Sequence, residues 1–144
     1  MITCDLHTHS TFSDGTFTPS QIVMEALRTN LSAVALTDHN TVAGLPEFLE
    51  AARGTALEAI PGVEISTGYL GKEVHIVGLF LEQEKFAELT DFLGVINRRK
   101  EESNRALVAA LRSAGYEISY GEIRERHPGS VNRAVIAGEL LRKG

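Results

Sequence analysis

The sequence is short of cysteine, of long apolar runs and of basic residues, and each shortage excludes a class of protein. Its 144 residues include one cysteine, Cys4, which cannot form an internal disulfide, so a secreted disulfide scaffold is excluded. No apolar run approaches the roughly 20 residues that cross a bilayer. Met1 leads directly into a strand-like segment without the basic and apolar regions of a secretory signal. We therefore expect a cytoplasmic protein with no membrane partner.

Basic residues are outnumbered, because 14 Lys and Arg face 19 Asp and Glu for a net charge of −5. Proteins that coat nucleic-acid phosphates carry basic stripes that displace counterions. Stable binding of duplex DNA is therefore not expected. A nucleotide or short RNA held through metal ions remains compatible with this charge balance. The length suits one domain, and the apolar share of 43% is ordinary for a globular protein.

Strand and helix patterns alternate over the first 82 residues. Thr18 is the expected N-cap of a first helix, with Pro19 at its first position and Gln21 completing a capping box. A second helix is predicted over 46–53. Strands are predicted over 2–7, 33–37, 57–66 and 73–81. The order β-α-β-α-β-β predicts an α/β fold with parallel strands and helices packed outside them.

Beyond Leu81 the apolar spacing becomes helical. Apolar residues recur from Phe86 to Ile96 and again from Leu107 to Leu111, with a strongly polar stretch over 97–105 between them. Two shorter helices are predicted over 120–126 and 132–142. We therefore divide the chain into an N-terminal sheet-forming part, 1–82, and a helical segment, 83–144.

Four of the five histidines fall in or just after predicted strands. His7 and His9 are two residues apart, so they share a strand face with Cα atoms ~6.6 Å apart. Two imidazoles at that separation can converge on one metal ion at about 2.1 Å each. The same alternation places Cys4 on the opposite face, which predicts a small core residue and not a ligand.

The other candidates each have an ordinary structural explanation. Asp14 precedes Gly15, a common Asx turn, and His39 could be a structural or solvated residue after its strand. Glu64 is either an exposed strand residue or a charge compensated by a cation, and His75 could be a half-exposed strand residue. Ligands of parallel α/β folds gather at the carboxyl ends of strands. The joint pattern therefore favours a metal site.

The same residues carry a resemblance to a known family. Five segments resemble, in order and spacing over residues 2–81, the PHP family, named for polymerase and histidinol phosphatase. They are Asp5-Leu6-His7-Thr8-His9-Ser10, Ser13-Asp14-Gly15, Leu36-Thr37-Asp38-His39-Asn40-Thr41, Gly62-Val63-Glu64-Ile65-Ser66 and Val74-His75-Ile76-Val77-Gly78.

The resemblance implies part of a distorted seven-stranded (β/α) barrel with a site for two or three metal ions, followed by a small helical insertion. It implies six metal ligands, with Glu64 bridging two ions and with Glu64, His39 and Asp14 as catalytic residues. The six are His7, His9, Asp14, His39, Glu64 and His75. Their mixed nitrogen and oxygen donors suit Mn, Zn or Fe. Asp5 and Asp38 are candidates for orienting the histidines, or are simply cap or turn carboxylates.

The region after Leu81 resembles the branch that cleaves nucleoside 3′,5′-bisphosphates and the 5′ ends of short RNAs. Hydrolysis of such phosphate monoesters by metal-activated water is the expected reaction. Arg133 is a candidate for binding substrate phosphate. Arg98 and Arg99, with Lys100 and Arg105, either receive a second phosphate or form a solvated helix face paired with acidic residues. His127 is expected to be a loop residue.

Two departures leave other functions open. Val135 stands where the branch has a histidine, so any substrate role of that side chain is missing. The family's remaining ligands would lie beyond Gly144, so the resemblance implies the front part of a longer enzyme or the product of a truncated gene. The alternatives are a phosphatase of a small substrate, such as histidinol phosphate, and a non-catalytic module that binds metal or a partner.

Overall fold

The fold comes from a computed structural model that describes residues 3–127 and 131–144. The chain divides after Gly94 into two compact units. The predicted division after Glu82, between barrel and insertion, stays a prediction. The strands are β1 (Cys4–Thr8), β2 (Ala33–Leu36), β3 (Glu58–Tyr69) and β4 (Lys72–Leu79). The α-helices are α1 (Pro19–Arg28), α2 (Leu45–Ala52), α3 (Phe86–Ser113), α4 (Tyr120–Arg126) and α5 (Arg133–Lys143), and Gln83–Lys85 form a short 3-10 turn.

The four strands form one mixed sheet in the order β1-β2-β3-β4. The β1–β2 and β2–β3 pairs are parallel, as predicted. The β3–β4 pair is antiparallel, so the prediction of parallel strands is wrong for β4. Only Leu70 and Gly71 separate these strands, whereas a parallel pair needs a crossover of about a dozen residues. Both turn residues have positive φ, 48° and 76°, as a tight hairpin turn requires.

Strand β1 contains a register shift and lies at the edge of the sheet, and its exposure corrects the prediction for Cys4. Asp5 pairs with Val34 and Thr8 pairs with Leu36, so β1 advances three residues where β2 advances two. An extra residue of this kind breaks the alternation of faces. Cys4 is exposed because β1 lies at the edge of the sheet. The predicted small core residue is therefore wrong, because residues on both faces of β1 are exposed.

The core of the first unit lies between the sheet and its two helices. All four residues of β2 are buried, and Phe48 of α2 is completely inaccessible. Helix α1 begins with the predicted capping box, in which Thr18 accepts from the Gln21 amide and the Gln21 side chain accepts from the Thr18 amide. Its buried stripe includes Val23 and Ala26. The apolar helix faces thus hold the strand ends of this unit in place.

Helix α3 runs through the polar stretch without a break, 28 residues in all. Arg, Lys and Glu are good helix formers, and Arg105 pairs with Glu101 one turn earlier at 2.6 Å. The predicted helices α4 and α5 are confirmed within one residue. The second unit has its own apolar core of Val108, Ile118, Tyr120, Ile123, Val131 and Ile136. Across residues 3–127 and 131–144, none of the helices combines the length and apolar character that crossing a membrane requires.

Candidate metal centre

The ends of the strands bring six predicted ligands together in the first unit. His7 lies in β1 and His9 follows it, while Asp14 lies on the loop that leads to α1. His39 follows β2 and forms an isolated bridge with Glu64 of β3. His75 lies in β4, which the hairpin folds back against β3. Residues up to 68 positions apart along the chain therefore meet at one place.

Glu64 is the centre of this cluster. Its Oε2 lies 2.8 Å from His7 Nε2, 3.2 Å from His9 Nε2 and 3.4 Å from His39 Nδ1. Its Oε1 lies 2.8 Å from His75 Nδ1. One carboxylate thus contacts four imidazoles. Such a carboxylate, with both oxygens facing different nitrogens, has the arrangement of a ligand that can serve two neighbouring ions.

Asp14 faces the same cluster from its loop. Its Oδ1 lies 3.8 Å from His9 Nδ1, and its Oδ2 lies 3.7 Å from His39 Nε2. Three overlapping groups of potential ligand atoms result, and within each group the atoms lie no more than 4.8 Å apart. The groups are His7-His9-Glu64, His9-Asp14-His39 and His39-Glu64-His75. Each of these groups could therefore hold a metal ion, and the groups share His9, His39 and Glu64.

Glu64 is 5% exposed, yet it is poised to carry a negative charge. Burial opposes its ionisation, but hydrogen bonds with His7 and His75 and the charge of His39 outweigh burial and hold the pKa of Glu64 below its ordinary value. A hydrogen bond to Glu73, reinforced by Glu64 against the opposing effect of burial, raises the pKa of His75. The site thus keeps a carboxylate charged where cations would bind.

The chemistry of these residues fits a transition-metal ion. The Nδ1 atom of His9 is buried and has no hydrogen-bond partner among the described residues. Buried polar atoms are nearly always paired, because an unpaired one costs about 1–3 kcal/mol. A cation on that nitrogen would satisfy it. Imidazole nitrogens together with carboxylate oxygens form the donor set expected for Mn, Zn or Fe.

His39 is positioned by a turn that the sequence interpretation did not identify. Asn40 adopts positive φ, 51°, a conformation that asparagine tolerates better than most residues. Its side-chain nitrogen Nδ2 donates to Ser66 Oγ at 3.0 Å, and its side-chain oxygen Oδ1 accepts from the backbone amide of Ser66 at 2.9 Å. This pair anchors the turn after β2 to strand β3. In the sequence, the asparagine that follows His39 was the feature that could have indicated this turn.

Glu73 is a second residue that the interpretation missed. Its Oε1 lies 3.2 Å from His75 Nε2. The two residues are separated by one position on β4 and therefore share a face. The same reasoning that paired His7 with His9 could have found it. A carboxylate on the outer nitrogen of a histidine is a common device for orienting a metal ligand.

The two carboxylates predicted to orient histidines make different contacts. Asp5 Oδ1 accepts from the backbone amide of His7 at 3.2 Å, so it touches the backbone and not the ring. Asp38 is 1% exposed and accepts hydrogen bonds from Ser10 and Ser13. Ser10 and Ser13 were not among the site residues predicted from the sequence.

The predicted phosphate-binding arginines lie in the second unit. Arg98 and Arg99 are exposed on α3, and Arg133 is exposed at the first position of α5. Gly129 and Ser130, which precede Arg133 in the sequence, lie outside the described residues. His127 caps α4, with Nε2 3.4 Å from Glu139 Oε1. Val135 packs against the core of the helical unit.

Comparison with known proteins agrees with this arrangement. The chain is 37% identical over 143 residues to the 5′-3′ exoribonuclease Rnm of Salmonella typhimurium, with 97% of this chain and 48% of that protein covered. It is 36% identical over 146 residues to the 3′,5′-nucleoside bisphosphate phosphatase of Chromobacterium violaceum, covering all of this chain and 51% of that protein. The chain thus spans about half the length of these curated relatives.

A solved structure shares the fold. The crystal structure of an amidohydrolase from Chromobacterium violaceum, with bound sulfate and no metal, superposes with a TM-score of 0.83 at 31% identity, covering 98% of this chain and 50% of that one. The predicted class, part of a PHP barrel followed by helices, is confirmed. The PHP domain family matches residues 5–127. By its motifs, its fold and this match, the chain belongs to the PHP family.

Proposed function

We propose that this chain supplies most of the metal site of a phosphoesterase that hydrolyses phosphate monoesters of nucleotides or RNA 5′ ends. The observation that carries the proposal is the convergence of four histidines and Asp14 around the buried carboxylate of Glu64. A structural salt bridge needs one histidine at a carboxylate, not four. The lowered pKa of Glu64 keeps its carboxylate ionised at neutral pH, which suits the binding of cations.

The proposed ligands are the six clustered side chains, and the proposed complement is two or three Mn, Zn or Fe ions. Divalent ions held there supply Lewis-acid chemistry, since they neutralise charge on phosphate oxygens and acidify coordinated water. Glu64 would contribute to two of the three ligand groups, while His39 and Asp14 face each other across the site at 3.7 Å. We propose Glu64, His39 and Asp14 as the catalytic residues, as the resemblance to the family implies, and all three belong to the candidate ligand groups.

The proposed substrate class rests on the relatives. One is named an exoribonuclease and another a nucleoside bisphosphate phosphatase. Sulfate, an analogue of phosphate in shape and charge, is bound in the similar crystal structure. Arg98, Arg99 and Arg133 are exposed guanidinium groups that could receive a second phosphate. A nucleotide or short RNA in the cytoplasm is therefore the proposed partner.

The first test counts metal ions in the purified chain before and after dialysis against Mn²⁺ or Zn²⁺. We expect at least one ion per chain, and a stoichiometry near zero after dialysis would overturn the ligand assignment. The second test measures phosphate released from a nucleoside 3′,5′-bisphosphate with Mn²⁺. We compare this chain with a version extended past Gly144, and expect turnover by the extended version.

Two other functions are separated by the same assay. Turnover of histidinol phosphate but not of the bisphosphate would indicate a phosphatase of a small substrate. Metal binding without turnover by either version would indicate a non-catalytic module. Val135 favours that module, since it occupies the position of the branch's histidine and packs on the helical core.

A further inference from the structure

The loop between His9 and Asp14 is tied to a buried carboxylate. Asp38 Oδ1 accepts from the Ser10 amide and from Ser13 Oγ, both at 2.6 Å. Asp38 Oδ2 accepts from Ser10 Oγ at 2.6 Å. Ser10 is inaccessible, Asp38 is 1% exposed and Ser13 is 6% exposed. Both carboxylate oxygens of Asp38 thus accept hydrogen bonds from the loop that connects His9 with Asp14, two of the clustered residues.

The same loop is closed by its own backbone. The amides of Ser13 and Gly15 both donate to the Ser10 carbonyl, at 3.0 Å and 2.9 Å. Gly15 lies against the backbone of His9, where a Cβ would come within 2.0 Å of the His9 carbonyl oxygen. A side chain at Gly15 would therefore force the loop apart. The position of Asp14 relative to His9 depends on this closed loop and on the carboxylate beneath it.

Asp38 also joins the loop to the other strands. It lies next to His39, and its carbonyl accepts from the Glu64 amide at 3.2 Å. A buried carboxylate with three short hydrogen bonds holds its partners firmly, because charge-assisted bonds are stronger than neutral ones. Asp38 therefore connects the Asp14 loop to the His39 turn, the two elements that face each other in the group His9-Asp14-His39.

We infer that Asp38, acting through Ser10 and Ser13, is a positioning residue that builds one of the overlapping metal positions, the one formed by His9, Asp14 and His39. This inference rests on the proposed metal site. Of the three ligand groups, Asp14 belongs only to His9-Asp14-His39, whereas Glu64 belongs to the other two. Loss of the Asp38 contacts therefore weakens one position and spares the two that contain Glu64. The loop thereby decides how many ions the centre holds.

The test compares metal stoichiometry at fixed free Mn²⁺ for the 144-residue wild type, Asp38→Asn and Asp14→Asn. Removal of an outer partner of a metal site typically weakens binding about 10–100-fold. We expect both variants to bind one ion fewer per chain than wild type, with the remaining ions unchanged. The double variant should lose no more than either single variant, because both act on the same position. The Mn²⁺ electron paramagnetic resonance spectrum should change alike in both.

Two controls separate this effect from damage to the fold. Val23→Ala in α1, at a core residue that is 1% exposed, lowers stability in the same unit and should keep the full metal count. Ser13→Ala removes the 2.6 Å hydrogen bond to Asp38 together with a longer 3.4 Å contact with Asp14 Oδ1, and should weaken the same ion by a smaller factor. If Asp38→Asn does not fold, Ser13→Ala decides the question.

The outcomes are distinct for the two proposals. Wild type that binds no ion overturns the proposed function itself. Wild type that binds ions, with Asp38→Asn or Ser13→Ala equal to it in number and affinity, overturns the positioning role alone. Equal loss of all ions in Asp38→Asn, with Val23→Ala unaffected, also overturns it, because the role assigned to Asp38 concerns one position.

Discussion

The two compact units both bury charged side chains, but they neutralise them differently. In the helical unit, Glu139 is 5% exposed and lies 2.9 Å from Arg126 and 3.0 Å from Arg142, so permanent cations of the protein balance it. In the sheet unit, Glu64 is equally buried, but its ion-pair partners among the described residues are all histidines, whose charge is conditional. A buried carboxylate surrounded by imidazoles is suited to an exchangeable cation, whereas one held by arginines serves the fold.

The largest expected effect separates stability from metal binding. Phe48→Ala should destabilise the sheet unit by about 3–5 kcal/mol and Ile136→Ala the helical unit by about 2–5 kcal/mol, because both side chains are fully packed, at 0% and 2% exposure. Only Phe48→Ala should also weaken metal binding. Denaturant unfolding with hydrogen exchange resolved by segment, beside metal analysis, checks this contrast. Complete loss of metal binding in Ile136→Ala would contradict the expected difference between the two units.

The next effect compares the two buried carboxylates directly. Glu64→Gln removes the charge shared by four imidazoles and should weaken metal binding by at least the roughly 10–100-fold that loss of an outer partner costs. Glu139→Gln makes the same chemical change in the helical unit and should leave metal affinity unchanged. Titration calorimetry with Mn²⁺ on both variants makes the measurement. Equal affinities for the two would contradict the functional distinction.

A smaller effect appears in acid. A hydrogen bond from Arg142, supported by His127 and Arg126 against the opposing effect of burial, holds the pKa of Glu139 below its ordinary value of 4.5. The folded state therefore binds fewer protons than the unfolded state in this range. The stabilisation is complete above about pH 4.5 and is lost as pH falls through the lowered pKa.

Glu139→Gln should therefore reduce the amount of stability that the helical unit loses as pH falls from neutral to acidic values. Hydrogen exchange of α4 and α5 at several pH values measures it. Glu125→Gln, at an exposed position on α4, serves as the matched control and should keep the wild-type profile. A steep acid loss that persists in Glu139→Gln would show that other carboxylates control this unit.

The smallest effect concerns the hairpin that carries His75. Leu70 is 84% exposed and has φ of 48°, a region that suits glycine. Leu70→Gly should stabilise the sheet unit by about 0.5–1 kcal/mol, because relief of backbone strain exceeds the added unfolded-state entropy. Leu70→Ala keeps the strain and should differ little from wild type. Chemical unfolding compares the three, and destabilisation by glycine would show that the exposed leucine makes a contact.

Local signals predicted most of the elements. Thr18, Pro19 and Gln21 defined the start of α1, because a capping box uses contacts within one turn. Helices α4 and α5 were also predicted, within one residue of their observed bounds. The antiparallel direction of β4 could also have been predicted, because six residues separate the predicted strands 57–66 and 73–81, too few for a parallel crossover, but the strand order alone suggested otherwise.

Other errors arose because the deciding contacts are not local. Cys4 is exposed because, among the described residues, β1 is an edge strand with both faces exposed, and alternation along five residues does not reveal the place of a strand in its sheet. The partners of Asp38 are serines 28 and 25 positions earlier in the chain. Adjacency to His39 suggested that Asp38 would orient a histidine, whereas its hydrogen bonds run to the loop.

By itself, the sequence determined the types of ligand atoms, the helix caps and the family to which the chain belongs, because these depend on residue identity and short spacing. Only the tertiary structure decided that Glu64 stands at the centre of four imidazoles and that Asp38 supports the Asp14 loop. The physical reason is that distances between side chains on different strands are set by register and packing. Those relations come into being only when the chain folds.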